Sequence, residues 1–201
     1  MDELLGSIGE LGEFVFTAIP KGTMKETSVT DFLLSHIESG DNKTSHIRFD
    51  DTYKETGNRE KNPKSGTSAD YILIIKNKNG DIKRYAFQAK NGKLKSKMGN
   101  VYLEINHRIG GKGAYQIDEY NLFLDSNLEI DGYYIFYNGN YNDVDNRSNI
   151  TQLFNQSFWV LDAKKVKELM GSDHKVISLD DIITEENHIK FIDFLRGLID
   201  G

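Results

Sequence analysis

The chain has 201 residues, no cysteine, and 25 Lys/Arg against 31 Asp/Glu, a formal net charge of −6. That length suits a single domain, and disulfides, cysteine-based metal sites and cysteine catalysis are excluded. No apolar run approaches the roughly 18–20 residues needed to cross a bilayer, so no membrane partner is expected. The opening "MDELLGSIGELGEF" lacks the basic start of a secretory signal, and a cytoplasmic globular protein is the expectation.

The net charge hides an asymmetry. Residues 1–53 carry 4 Lys/Arg and 10 Asp/Glu, residues 54–112 carry 14 and 5, and residues 113–201 carry 7 and 16. A basic middle third between acidic flanks has the sign needed to meet a polyanion, because phosphate contacts supply most non-specific nucleic-acid affinity. A lysine-rich solvated surface has the same composition, so charge alone does not decide.

In chain order, Leu4, Leu5, Ile8, Leu11 and Val15 recur at helical spacing. Thr23 and Glu26 form a T-x-x-E capping pattern before a second helix, with Val29, Phe32, Leu33, His36 and Ile37 on one face and Gly40 as its stop. "SHIRFDDTY" (45–53) alternates as a strand does. Residues 54–68 are polar and hold Pro63 and Gly66, as a loop would. "ADYILIIK" and "IKRYAFQAK" flank an Asn-Gly turn and predict a hairpin. Residues 91–113 are rich in Gly, Lys and Asn around a short "VYLEI" segment. "AYQIDEYNLFL" predicts an amphipathic helix and "GYYIFYN" a buried strand. Beyond them come strands at "SFWVL" and "KVISL", a helix at "AKKVKELM" and a last helix over about 187–199. This order predicts an α/β domain with a mixed sheet.

The register of the hairpin decides whether a site can form. A two-residue Asn79-Gly80 loop sets Asp70 opposite Ala89, with Gln88 and Lys90 on the other face. A three-residue Lys78-Asn79-Gly80 loop, with Gly80 in the left-handed region, sets Asp70 opposite Gln88 and puts Lys90 on the same face. The three-residue loop also gathers Tyr71, Leu73, Ile75, Tyr85, Phe87 and Ala89 on one apolar face, so it is the expected one. A carboxylate, an amide oxygen and an ammonium then converge. Such oxygens suit Mg²⁺ or Mn²⁺, and a lysine beside the ion can orient or deprotonate a water.

Asp70, seventeen residues, then Gln88-Ala89-Lys90 resembles the D-(x)n-(D/E)-x-K signature of the PD-(D/E)XK nuclease superfamily. The resemblance implies a restriction-endonuclease-like fold, an α-β-β-β-α-β core with a central mixed sheet flanked by helices, over about residues 23–140. A short C-terminal α/β extension over about 150–201 completes a single domain. Members commonly place a Glu on the first core helix, and Glu26 occupies that place, in line with Val29, Leu33 and Ile37. Gln116 and Tyr120 match the Q-x-x-x-Y of the RecB-type branch. The implied roles follow. Asp70, Gln88, the Ala89 carbonyl and Glu26 would hold the metal, Lys90 would position or activate the attacking water, and Gln116 and Tyr120 would steady the site or the substrate phosphate. The substrate would be nucleic acid, DNA ahead of RNA, bound through the basic region 54–112, in a setting of restriction or phage defence.

One departure stands out: Gln88 replaces an acid and removes a negative charge. A catalytically inactive nucleic-acid-binding or assembly module on the same fold is the alternative. The five histidines (His36, His46, His107, His174, His188) lack zinc-ligand spacing. "HRIGGKGAYQ" lacks the spacing of an NTP-binding loop and reads as a loop contacting a nucleic-acid backbone. The pairs Asp143/Asp145, Asp180/Asp181 and Glu185/Glu186 read as solvated loops. For the tail around Trp159, packing on the core and a homodimer contact both fit.

Overall fold

The hairpin turns as its apolar pattern requires. In the computed structural model, strand β2 (Tyr71–Lys76) pairs antiparallel with β3 (Ile82–Lys90), with Tyr71 facing Phe87 and Lys76 facing Ile82. Asn77 and Asp81 close the ladder through Asn77 N–H to the Asp81 carbonyl, 3.0 Å, leaving Lys78-Asn79-Gly80 as the loop. Gly80 has φ of 94°, a conformation that costs a residue with a Cβ but not glycine. The opposite register would turn Tyr71, Leu73 and Ile75 to the other face. Burying each such side chain is worth about 1.5–3 kcal/mol, so hydrophobic burial sets the pairing.

The structure describes residues 2–18, 24–44, 46–50, 69–91, 93–97, 100–106, 108, 113–137, 158–171, 175–178, 181–182 and 189–201. The expectations for Thr23, for the loop 54–68, for most of the glycine-rich stretch 107–112 and for Asp143/Asp145, Asp180 and Glu185/Glu186 lie outside the described residues, as do His107, His174 and His188. Helices α1 (Asp2–Ala18) and α2 (Glu26–Thr44) precede β1 (Ile47–Phe49), β2 and β3. A second hairpin, β4 (Lys93–Lys97) and β5 (Asn100–Glu104), leads to α3 (Gln116–Asp125) and β6 (Ile130–Phe136). The chain then forms β7 (Trp159–Asp162), α4 (Ala163–Met170), β8 (Val176–Ser178), β9 (Ile189–Lys190) and α5 (Phe191–Asp200).

The central sheet has six strands in the order β1-β2-β3-β6-β7-β9, and β4-β5-β8 form a separate three-stranded sheet. Within the central sheet β3 and β6 run parallel and every other pair is antiparallel. Helices cover both faces. On one, Leu4, Leu5, Ile8, Leu11 and Val15 of α1, Val29, Leu33 and Ile37 of α2, and Phe191, Phe194 and Leu195 of α5 pack against Tyr71, Leu73, Tyr85 and Phe87. On the other, Ile117, Tyr120 and Leu124 of α3 and Val166 and Met170 of α4 pack against Ile72, Ala86 and Tyr134. Leu103 and Ile177 tie the small sheet into this second core. The protein is thus an α/β fold with a mixed central sheet between helices.

Two details depart from the sequence pattern, and two more concern stretches that it left open. Helix α2 runs through Gly40 to Thr44. A glycine costs about 1 kcal/mol in a helix, too little to end one whose Val29, Leu33 and Ile37 are wholly buried. Phe32 of that helix lies half-exposed rather than on the buried face. The lysine-rich residues 93–97, to which the sequence pattern assigns no element, form strand β4 against β5, whose Leu103 is anchored in the core. The tail packs on the core: Trp159 is fully buried, and Phe191 and Phe194 meet the Phe87 ring edge-on at 5.7 and 6.2 Å.

Candidate active site

The site forms where β3 ends. In a mixed sheet, the carboxyl ends of a parallel strand pair are where helices and loops leave a crevice for ligands, and β3 with β6 is the parallel pair here. The regular β2–β3 ladder stops at Tyr71. Asp70, one residue further, donates its N–H to the Phe87 carbonyl at 2.8 Å. Its carboxylate turns across the strand end and accepts hydrogen bonds at Oδ2 from the Gln88 side-chain amide and, at 2.6 Å, from the Ala89 N–H. The Gln88 Nε2 also approaches the Ala89 carbonyl at 3.4 Å.

Gln88 is 1% exposed, and its Oε1 is buried without a hydrogen-bond partner. The amide nitrogen therefore sits between two oxygen acceptors, the place a small cation would take. A half-turn of the amide would replace its donor by a third oxygen and leave Asp70, Ala89 and Gln88 converging as acceptors. This donor set fits a hard divalent cation that keeps several waters. Among the described residues no three His, Cys, Asp or Glu side chains gather in a way that would hold a metal. Any ion here would rest on one carboxylate, carbonyl oxygens, water and substrate phosphate.

Lys90 follows two residues on, on the same face of β3, and is 6% exposed. Its Nζ donates to Gln116 Oε1 at 2.7 Å, which brings the first residue of α3 to the site. Among the described residues Lys90 makes no ion pair. Helix α3 is placed by Asn106, whose Oδ1 accepts the Ile117 N–H at 3.2 Å in place of a local cap. Glu26 reaches the same strand end from the other side of the sheet, because the burial of Val29, Leu33 and Ile37 aims its side chain there. Its Oε2 accepts the Asn91 N–H at 2.6 Å.

The structure thus brings Asp70, Gln88 and Ala89 together, joins Lys90 to Gln116, and sets Glu26 on the residue after Lys90. Tyr120 does something else. Its hydroxyl donates to the Ala86 carbonyl at 2.8 Å, accepts the Tyr133 N–H at 3.1 Å and approaches the Tyr133 carbonyl at 3.2 Å. It clasps β3 to β6 within the core and does not reach a substrate phosphate. Burial pushes its pKa well above the ordinary tyrosine value, so it stays a donor. Tyr120→Phe is therefore expected to cost about 1–3 kcal/mol, the price of an unpaired buried amide, read as a lower Tm, with Mn²⁺ affinity unchanged by titration.

The sequence passed over two residues, Thr30 and Tyr137, and touched a third, Arg108, only through the glycine-rich stretch that holds it. Arg108 stacks its guanidinium 4.4 Å above the Tyr115 ring and donates to the Gly113 carbonyl at 3.2 Å. Tyr115 directly precedes Gln116, so an exposed, oriented cation stands beside the site. Thr30 and Tyr137 are buried close to Glu26, where their hydroxyls bond at 3.0 Å. Lone tyrosines and threonines have no motif, and only the contacts reveal them.

A family model described as a family of unknown function, DUF6615, matches residues 11–191. The chain belongs to that family. No curated protein and no solved structure matches it. The DUF6615 match spans α2, the hairpin, α3 and the strands through β9, so every residue of the candidate site falls inside it. No helix among the described residues is long and apolar enough to cross a membrane.

Proposed function

We propose that this protein is a divalent-metal-dependent nuclease on a restriction-endonuclease-like core, acting on phosphodiester bonds, DNA ahead of RNA. The observation that supports this most is a pairing at one strand end. A buried lysine with no ion-pair partner among the described residues stands two residues from an oxygen cluster of Asp70, Gln88 and Ala89. A buried ammonium facing only a neutral amide is costly unless an anion completes it, and a substrate phosphate held by a cation would be such an anion.

In this reading Asp70, the Ala89 carbonyl, Gln88 and Glu26 would hold Mg²⁺ or Mn²⁺, which lowers the pKa of a bound water and screens the phosphate. Lys90, oriented by Gln116, would position an attacking water and meet charge developing on the phosphoryl oxygens. Arg108 would contact the substrate backbone outside the scissile bond. The cores on both sides fix β3, so its end is presented on a rigid element.

The deciding experiment incubates plasmid and single-stranded DNA with purified protein and Mn²⁺. Wild-type protein should cut, and Asp70→Asn should lose Mn²⁺ binding by calorimetry and cutting together. Equal cutting by the variant would sink the assignment.

A second reading has one observation of its own. The Gln88 amide already occupies the cation's place, as it would in a module that binds nucleic acid without cutting it. That reading expects metal-independent, salt-sensitive DNA binding and no calorimetric Mn²⁺ signal that depends on Asp70.

A further inference from the structure

We propose that Thr30 and Tyr137 are positioning residues that fix the Glu26 carboxylate at the end of β3, through a closed ring of hydrogen bonds joining α2, β3 and β6. Its catalytic consequence rests on the nuclease reading above; the ring itself does not.

The ring can be followed bond by bond. Glu26 Oε2 accepts the Asn91 N–H at 2.6 Å. The preceding residue, Lys90, accepts at its carbonyl the Tyr137 N–H at 2.9 Å, which extends the parallel β3–β6 ladder. The Tyr137 hydroxyl bonds Thr30 Oγ1 at 3.0 Å, and Thr30 donates to the Glu26 carbonyl at 3.1 Å. Because the Thr30 proton goes to that carbonyl, Tyr137 is the donor to Thr30. Both ends of Glu26, its carbonyl and its carboxylate, are thus tied to the two parallel strands that form the site.

Such a tie has a physical purpose. Glu26 is the first residue of α2, and helix ends fray. Within the helix the buried apolar contacts begin at Val29, one turn in, and before it Met24 is only partly buried against the core. Without an external anchor, a carboxylate at that place would sample many rotamers. Burial pushes the Tyr137 hydroxyl well above its ordinary pKa, chiefly by desolvation, so the anchor keeps its proton throughout the working range. Tyr137 is itself held by Phe158, ring centres 5.0 Å apart, on a segment of the chain outside the α-β-β-β-α-β order.

The test uses ¹⁵N-labelled full-length protein. In Glu26→Gln the Asn91 amide proton, no longer bonded to a carboxylate, should move upfield of its wild-type position. In Tyr137→Phe and in Thr30→Val, each of which keeps its packing volume, Asn91 exchange with solvent should quicken at least about tenfold. The Mn²⁺ concentration for half-maximal cutting should rise about tenfold, with kcat at saturating Mn²⁺ held within about threefold. Tyr120→Phe, whose hydroxyl lies in the other core, should leave Asn91 as it is. Unchanged Asn91 exchange in both ring variants, or an equal change in Tyr120→Phe, overturns the proposal. Quickened exchange in a protein that neither binds Mn²⁺ nor cuts DNA sinks the nuclease reading and leaves the positioning of Glu26 standing.

Discussion

Lys90→Met is expected to lower Mn²⁺-dependent DNA cleavage by about 10²–10⁴-fold, the usual worth of a positioned acid–base group, with only a small change in Tm. Methionine keeps the unbranched stem that fills the space between β3 and α3. The substitution leaves the Gln116 Oε1 without its donor, which costs about 1–3 kcal/mol. It also removes a buried ammonium whose described partner is neutral, and that relief offsets the loss. A lysine retained for structure would show the reverse: a large fall in Tm and little change in the rate of the folded fraction. Calorimetric Mn²⁺ binding should survive in the variant, because Lys90 contributes no oxygen. Cleavage at the wild-type rate would remove Lys90 from the mechanism.

The central hairpin was legible in the sequence because two independent constraints agreed. Gly80 offered a loop, and the apolar alternation on either side selected its length. One register then followed for the whole site, since a slip of one residue reverses every face. Glu26 was legible for the same reason: three aliphatic residues in line with it fix its direction. Of the two roles the spacing left to Tyr120, steadying the site or the substrate phosphate, the contacts agree with the first, because spacing says which face a side chain takes, not what it meets. It lies one turn from Gln116, yet its hydroxyl ends on Ala86 and Tyr133 in the core, while Gln116 meets Lys90. Strand β4 hid behind its lysines, and the anchored residue described in its partner, Leu103, has no period to read by itself. The stacking of Arg108 on Tyr115 joins residues 7 positions apart and the bond of Thr30 to Tyr137 residues 107 apart, and no local pattern encodes such contacts.

Gln88→Glu is expected to destabilise the metal-free protein at neutral pH and to stabilise it once Mn²⁺ is present. In the wild type the amide donates to Asp70 Oδ2, and that donor vanishes when a second carboxylate takes its place. A buried carboxylate at position 88 would face the half-buried Asp70 carboxylate, and the cost has as its upper bound the roughly 3–5 kcal/mol of a fully buried uncompensated charge. For a chain of this size each kcal/mol moves Tm by roughly 2–4 °C. The sign with pH is fixed by the repulsion, which raises the folded-state pKa of the pair above its unfolded value. Below the ordinary carboxylate range both states are protonated and the penalty is absent. It grows as pH rises through that range towards the raised folded value and is constant above it. Thermal melts of both proteins from pH 4 to pH 8, without and with Mn²⁺, read this directly. A divalent ion between the two carboxylates cancels the repulsion, so the variant should gain more Tm from Mn²⁺ than the wild type and bind it more tightly. A penalty that is flat with pH and indifferent to Mn²⁺ would mean that position 88 does not face Asp70 across a cation site. The wild-type amide would then be a structural hydrogen bond, and the binding-module reading would take precedence.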